Sequence, residues 1–552
     1  MKKRTKLSLV LSSLAAIMVA GATMAGGTYA LFTSESKVDI SVKSGKVAVT
    51  ATVSDLKTYS GVDLIGDPKK DVINETTTSG TFTNGGTASI SDNTLTLDKM
   101  TPGDKVTFNI KVENSSNVDV QYRTVLKAVK DDGLFDCLKV KIGGEEYDGG
   151  VGVRSKYDTW SASASDQAKT IAVEISMPSD VGNEYQDLSC TLSYMVEAIQ
   201  GNAQTDLHVN SSNIQEYLDG EHGSINGKTF YLDSGDYNTI YLRQSKEGST
   251  RREDLDVYKA AYPAYYRAFK DIVIKPEEGA TVNLKQFKVE AGLFWYETAP
   301  ASNQSEMNEN SGFISYVELE DVIIDGLHFS NTDTTKNVPA VYLSDNESDT
   351  TNSNVKGSAF VVDGFIVQNC EGVGNGNNGV DNYFFSAGNG ANDSSFMNVE
   401  GNKKGLNNIV LRGNKISKYY QSIHFNNNSA LLNNLTVKDN TFKECYNNHA
   451  QISNKSTSGI FKFVNNTIEK QNGRFVRMAA LAADAKVILN GNKVSEAIKY
   501  NDDSEEIVKI VGTAGFKVIE GSNEWSAGSF SDNTTWIANG DASRKQADTS
   551  GN

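Results

Sequence analysis

"LRGNKI" at 411–416 returns as "VKDNTF" at 437–442, as "FVNNTI" at 463–468 and as "LNGNKV" at 489–494. The copies share little identity, yet each starts 26 residues after the last and each has Asn as its fourth residue. In the longer stretches around them, such as "NNIVLRGNKISK" and "AKVILNGNKVSE", alternating apolar residues run into a polar corner, after which an apolar residue resumes. Short strands repeated at this period are the mark of a right-handed parallel β-helix, in which each coil stacks on the one before. Asn414, Asn440, Asn466 and Asn492 then lie above one another at the strand spacing of about 4.8 Å. Stacked amides there bond along the axis, and Asn suits the left-handed backbone of a tight corner.

The pattern extends upstream to "DVIIDGLHFSN" at 321–331 and "AFVVDGFIVQN" at 359–369, and more loosely downstream to "FKVIEGSNEW" at 516–525. We place the β-helix at 227–530, with a polar tail at 531–552. The interval from Val362 to Leu411 exceeds one regular coil, which predicts an inserted loop or an irregular extra coil. "GNGNNG" at 374–379 opens no helix and belongs to no βαβ unit, so it is not read as a dinucleotide site. At 251–270, Tyr258, Tyr262, Tyr266 and Phe269 recur at near-helical spacing around Pro263, which predicts a short lid or cap.

The first thirty residues belong to targeting rather than to fold. Lys2, Lys3, Arg4 and Lys6 precede an apolar run that ends in "TYA" at Ala30, the pattern of a secretory signal cleaved before Leu31. Removing its four basic residues leaves 49 Lys plus Arg against 69 Asp plus Glu, a formal charge of −20. Such a surface repels nucleic acid and anionic membrane. No membrane anchor is expected after cleavage. In an exported chain, Cys137 and Cys190 are the candidate disulfide pair, while Cys370 and Cys445 are too many coils apart to bridge and are expected to be buried.

From Lys37 to about Ala203 apolar and polar residues alternate, as in "KVAVTATV", "KVTFNIKVEN" and "CTLSYMVEA", with "TPGD" at 101–104 supplying a type II turn. This predicts an antiparallel, jelly-roll-like β-sandwich over 31–205, joined by a linker at 206–226 to the β-helix. The whole chain is therefore expected to be all-β. Val38, Ile40 and Val42, then Val47, Val49, Ala51 and Val53, share a face of the first strands, which either close their own sandwich or are donated to a neighbour's open edge.

The stretches "GGTYALFTSES" at 26–36, "SGKVAVTATV" at 44–53, "MTPGDKVTFNIKVENSSNVDVQYR" at 100–123 and "GNEYQDLSCTLSYMVEAIQGNA" at 182–203 resemble the camelysin/TasA family. The resemblance covers about 30–205 and implies export from a Gram-positive bacterium and a place in the biofilm matrix or on the cell surface, with self-assembly through the N-terminal strand. The protease activity associated with camelysin is not implied here. A zinc hydrolase needs His ligands, and the first His in this chain is His208.

The β-helix resembles the pectate-lyase-like superfamily in architecture alone. "NTD" at 331–333 is similar to one element of polygalacturonases, but the partner Asp pair and the Gly-His-Gly are missing. Stacking "YQSIHFN", "YNNHAQIS" and "NGRFVRMA" so that Ile423, Ala450 and Val476 point inward puts His424, Gln451 and Arg477 in one outward column. Tyr420 and Tyr446 stand in the preceding corner, with His449 nearby. These groups suit stacking on and hydrogen bonding to a sugar chain. The sequence calls for no catalytic residue, resident metal or cofactor, although acidic stretches such as "SDNESDTTNSN" at 344–354 would suit calcium. The leading expectation is a non-catalytic structural or adhesive matrix protein. The alternative is a protein that binds or degrades extracellular polysaccharide.

Overall fold

The alternating segments of the first part pair into two antiparallel sheets in the computed structural model. Outside the residues that it describes lie 1–33, 36–46, 61–77, 92, 151, 165, 183–184, 186, 244–265, 292–293, 296–314, 331–337, 346–354, 357, 377–381, 388–404, 426–431, 453–456, 499–505, 527–531 and 539–552. The signal region, the Ala30/Leu31 junction and Val38–Val42 therefore fall outside the described residues, as do "NTD" and most of the acidic stretch.

One sheet runs in the order Gly152–Arg154, Val120–Asp131, Ser189–Gln200, Thr94–Asp98, Thr87–Ser91, Ser79–Thr81. The other runs Val49–Tyr59, Lys105–Asn114, Ala168–Ser176, Lys139–Ile142, Glu145–Asp148. Period-two alternation buries Val106, Phe108, Ile110 and Val112 from the second sheet against Leu192, Tyr194 and Val196 from the first. Val47 and Val49 are buried, and Ala51 and Val53 pack partly buried on the same core. Their strand closes its own sandwich at a sheet edge by pairing with Lys105–Asn114. The Pro102–Gly103 turn forms as read: Gly103 has φ +90°, the Asp104 amide donates to the Thr101 carbonyl at 2.9 Å, and the Asp104 carboxylate accepts from the Thr101 amide at 2.7 Å.

The second part is one long sheet of parallel strands wound into coils. Its boundaries are wider than expected. Asp206–Val209 already pairs in parallel with Thr229–Leu232, and the short helix Ile214–Leu218 turns Ile214 and Leu218 into the core. The span 206–226 is thus the first coil edge and its cap rather than a linker, because Leu207, Val209 and Ile225 supply apolar cover for an otherwise open end. At the other end Asp532–Ala538 pairs with Glu506–Gly512, so the sheet runs into the span read as a polar tail. Tyr266–Lys270 is a strand with Phe269 in the core, while the rest of the stretch read as a lid, with Tyr258 and Tyr262, lies outside the described residues. The long interval after Val362 is a single enlarged coil, since Val362 pairs directly with Leu406.

The ladder explains the repeat. The Asn414 side-chain amide donates to Asn440 Oδ1 at 2.9 Å, Asn440 to Asn466 at 3.0 Å and Asn466 to Asn492 at 2.9 Å. Each amide also donates to a carbonyl of the preceding coil, as Asn466 does to Val437 at 2.8 Å. Each oxygen accepts the backbone N–H of the rung before it. All four side chains are buried and satisfied on both ends, so the position tolerates little else. Asn523 continues the ladder as a fifth rung after a 31-residue step, and the Cys370 amide caps it from the coil before Asn414. The left-handed residue is the one before each of the four regular rungs, Gly413, Asp439, Asn465 and Gly491, and Asn369 takes the same place before the capping Cys370. The ladder Asn is therefore selected for its amide rather than for its φ.

The sandwich docks along the β-helix through its Val120–Asp131 strand. At one end Arg123 lies 3.9 Å from Asp271, Arg154 bonds Asp321 at 2.5 Å and touches Asp271, and Lys127 reaches Glu320 at 3.1 Å, Asp321 at 3.4 Å and Asp363 at 3.6 Å. At the other end the polarity reverses, and Asp131 and Asp136 of the sandwich meet Lys462 of the β-helix. Arg123 to Asp131 spans about 27 Å of strand, and the five coil steps from Asp271 to Lys462 span about 24 Å. The strand therefore runs along the helix axis, and opposite charge patterns at its two ends fix its direction.

Candidate ligand-binding face

The predicted column is in backbone register, but Gln451 is buried rather than outward, because the other polar row bonds over it. His424 pairs with Gln451, Gln451 with Arg477, and Arg477 with Lys509. The same column continues upstream through Ser386, Tyr342 and Lys288 to Tyr241. Lys288 Nζ lies 6.0 Å from the ring centroids of both Tyr241 and Tyr342. Sequence reasoning missed this half because the repeat there is interrupted by insertions, which hides the coil count.

Three residues before His424, Gln451, Arg477 and Lys509 stands a second, buried polar row: Gln421, Asn448, Arg474 and Glu506. The two rows bond to each other. Gln451 Oε1 accepts from Asn448 at 2.9 Å and from Arg477 at 3.2 Å, and Glu506 accepts from Arg474 at 3.0 Å and pairs with Lys509 at 3.4 Å. Arg474 was legible in "NGRFVRMA" three residues before Arg477. Glu506 was not, because its coil follows an irregular interval.

His424 is half-buried and stacks on Tyr383 at 4.3 Å with an interplanar angle of 11°. Tyr420 and Tyr446 are half-buried at the corner, and Tyr420 accepts a hydrogen bond from Asn447 at 2.9 Å. Arg477 is exposed; burial of part of its stem and the neighbouring Arg474 charge lower its pKa from the ordinary value. These positions form a fixed surface, since their backbones are held in a continuous parallel ladder.

His449 does not belong to this face. It is fully buried, its Nδ1 lies 3.0 Å from Ser422 Oγ, and its ring packs 5.0 Å from Phe442. Burial brings its pKa down to about 3, so it is a neutral core residue. The chain bends here, and the successive-coil residues Phe384, Ser422, His449, Phe475 and Ile507 all turn inward.

Cys137 and Cys190 are thiols and do not form the expected disulfide. Cys137 closes a 3₁₀ turn, Phe135–Cys137, and its Sγ points to the Leu134 carbonyl at 3.1 Å, while Cys190 is buried in its strand. Cys370 and Cys445 are buried as expected, each donating to a backbone carbonyl at 3.2 Å.

Among the described residues no group of three His, Cys, Asp or Glu side chains is placed to hold a metal ion. Within the two rows Glu506 is the one carboxylate, and it is engaged by Arg474 and Lys509. Hydrolysis of a glycosidic bond requires two positioned carboxyls, an arrangement these rows do not supply. The rows carry aromatic faces, amides and four cations, Lys288, Arg474, Arg477 and Lys509, against one acid, groups suited to recognition. No protein-family model matches the chain, and no curated relative matches it either.

Proposed function

We propose that this chain is an exported, non-catalytic structural or adhesive protein of a Gram-positive extracellular matrix or cell surface. Its camelysin/TasA-like sandwich serves assembly, and its β-helix displays the Tyr420/His424/Arg477 face to extracellular polysaccharide. The observation that carries the reading is the unbroken register from Tyr241 to Lys509, which gives one rigid polar stripe along the helix axis. A repeating polymer suits a repeating surface. The excess of Arg474, Arg477 and Lys509 over Glu506 favours a sugar chain bearing carboxylates, against the acidic balance of the protein as a whole.

Assembly through the sandwich is supported by its sheet edge. The Ser189–Gln200 strand is covered by Thr94–Asp98 along Ser189–Ser193, and further on by Ser34–Glu35 at Ala198 and Glu197. Among the described residues Ser34–Glu35 is the N-terminal cover of this edge, and a terminal strand on a sheet edge can exchange with another copy.

Binding to a polyuronate and to a neutral glucan, measured by co-sedimentation, tests the ligand half. The polyuronate is expected to bind more tightly, and Arg477→Ala to weaken it about tenfold, the loss of one charge-assisted contact. Unchanged binding by Arg477→Ala would remove this face from the account. Release of reducing ends or of an ultraviolet-absorbing unsaturated product would replace adhesion with polysaccharide cleavage.

A further inference from the structure

Where the sandwich meets the middle of the β-helix, a lysine and two aspartates are enclosed together. Lys462 points outward from its coil but is covered by the sandwich, leaving its side chain 8% exposed; Asp136 and Asp131 are 12% and 14% exposed. Lys462 Nζ is in direct contact with Asp136 Oδ2, yet that buried oxygen takes part in no hydrogen bond.

Asp131 is held in place independently. Its Oδ1 accepts the backbone amides of Gly133 and Phe135, both at 3.0 Å, and its Oδ2 lies 3.9 Å from Lys462 Nζ. Gly133, at φ +110°, makes the turn that sets these amides. Beside the three groups is a small cavity of about 100 Å³ lined by Asp131, Asp136, Gly150, Asn408, Asn434 and Lys462. Burial lowers the Lys462 pKa against the opposing pull of Asp131, with Lys486 adding to the lowering, which favours the neutral, nucleophilic amine.

We propose that Lys462 and Asp136 form an intramolecular isopeptide bond that locks the sandwich to the β-helix. Lys462 Nζ attacks Asp136 Cγ in its protonated, carboxylic acid form. The new C–N bond forms, the C–OH bond breaks, and one water leaves. Asp131 takes the proton released by the nitrogen and delivers it to the departing hydroxyl, so that an amine and an acid become an amide plus water with no change of oxidation state. Starting from the ion pair, one proton first passes from the ammonium to the Asp136 carboxylate. Nothing beyond the three side chains is required, and enclosure keeps bulk water from the amide.

The test is the intact mass of the purified, denatured chain starting at Leu31, followed by peptide mapping. The expected mass is lower than the sequence mass by one water, with a branched peptide joining the Asp136 and Lys462 segments. Lys462→Arg and Asp136→Ala should each run at full sequence mass and melt at a lower temperature. Asp131→Asn, shown to be folded by its circular dichroism, should also retain the water. A parent chain at full mass, with both segments recovered as linear peptides, overturns the proposal whatever the variants do. A branched peptide that persists in Asp131→Asn overturns the proton-carrying role of Asp131.

Discussion

At the scale of single residues, the Asn ladder decides the fold. Asn466 donates to Asn492 and Val437 and accepts from Asn440, with no exposure to water. Asn466→Ala leaves buried donors and acceptors on the two neighbouring coils without partners, and we expect it to cost roughly 2–4 kcal/mol. Asn523→Ala, at the half-exposed end of the ladder, should cost less than half of that. Urea denaturation midpoints of the two variants compare them directly; equal losses would mean that burial of the amides is not what the repeat preserves. The ladder was legible because one side chain at one interval performs one task. His449 was harder to place, because period-two alternation assigns inside and outside only while the chain stays extended. At the bend around 448–449 two consecutive residues turn inward, and no local residue type announces it.

At the scale of elements, the Val120–Asp131 strand joins the two parts. Its charges were visible in the sequence, but their partners on the β-helix lie from about 150 to 330 residues away and share no periodicity with it. The alternation of the strand could be read; what covers its outward face could not. Burial pulls Lys127 toward neutrality, but Asp321, Asp363 and Glu320 outweigh it and hold its pKa above the ordinary lysine value. In return, although burial works to raise it, Glu320 is brought down to about 2 by Lys127 and Lys270. Its folded pKa lies below the ordinary 4.5, so this contribution is present above about pH 4.5 and is lost as pH falls toward 2. Glu320→Gln should lower stability by roughly 1–3 kcal/mol at pH 7 and leave little difference from the parent near pH 2. Denaturation midpoints at pH 7, 4.5 and 3 give the comparison, and a gap that stays constant with pH would contradict the assignment.

At the scale of the whole molecule, the chain is a sandwich laid lengthwise on a β-helix, with a polar stripe running along the helix axis. The two fold classes were legible from period-two alternation and from the 26-residue count. The coil boundaries were less so, since Asp206–Val209 and Asp532–Ala538 join the sheet through pairing that their own composition does not advertise. Half of the candidate face was legible where coils are regular, and the half from Tyr241 to Tyr342 was hidden by insertions. In the proposed role the sandwich assembles copies of the chain while the β-helix faces outward. The decisive experiment is negative-stain electron microscopy of the chain starting at Leu31, beside a version lacking residues 31–43. Filaments are expected from the first and separate particles from the second; separate particles from both would rule out assembly through the N-terminal strand.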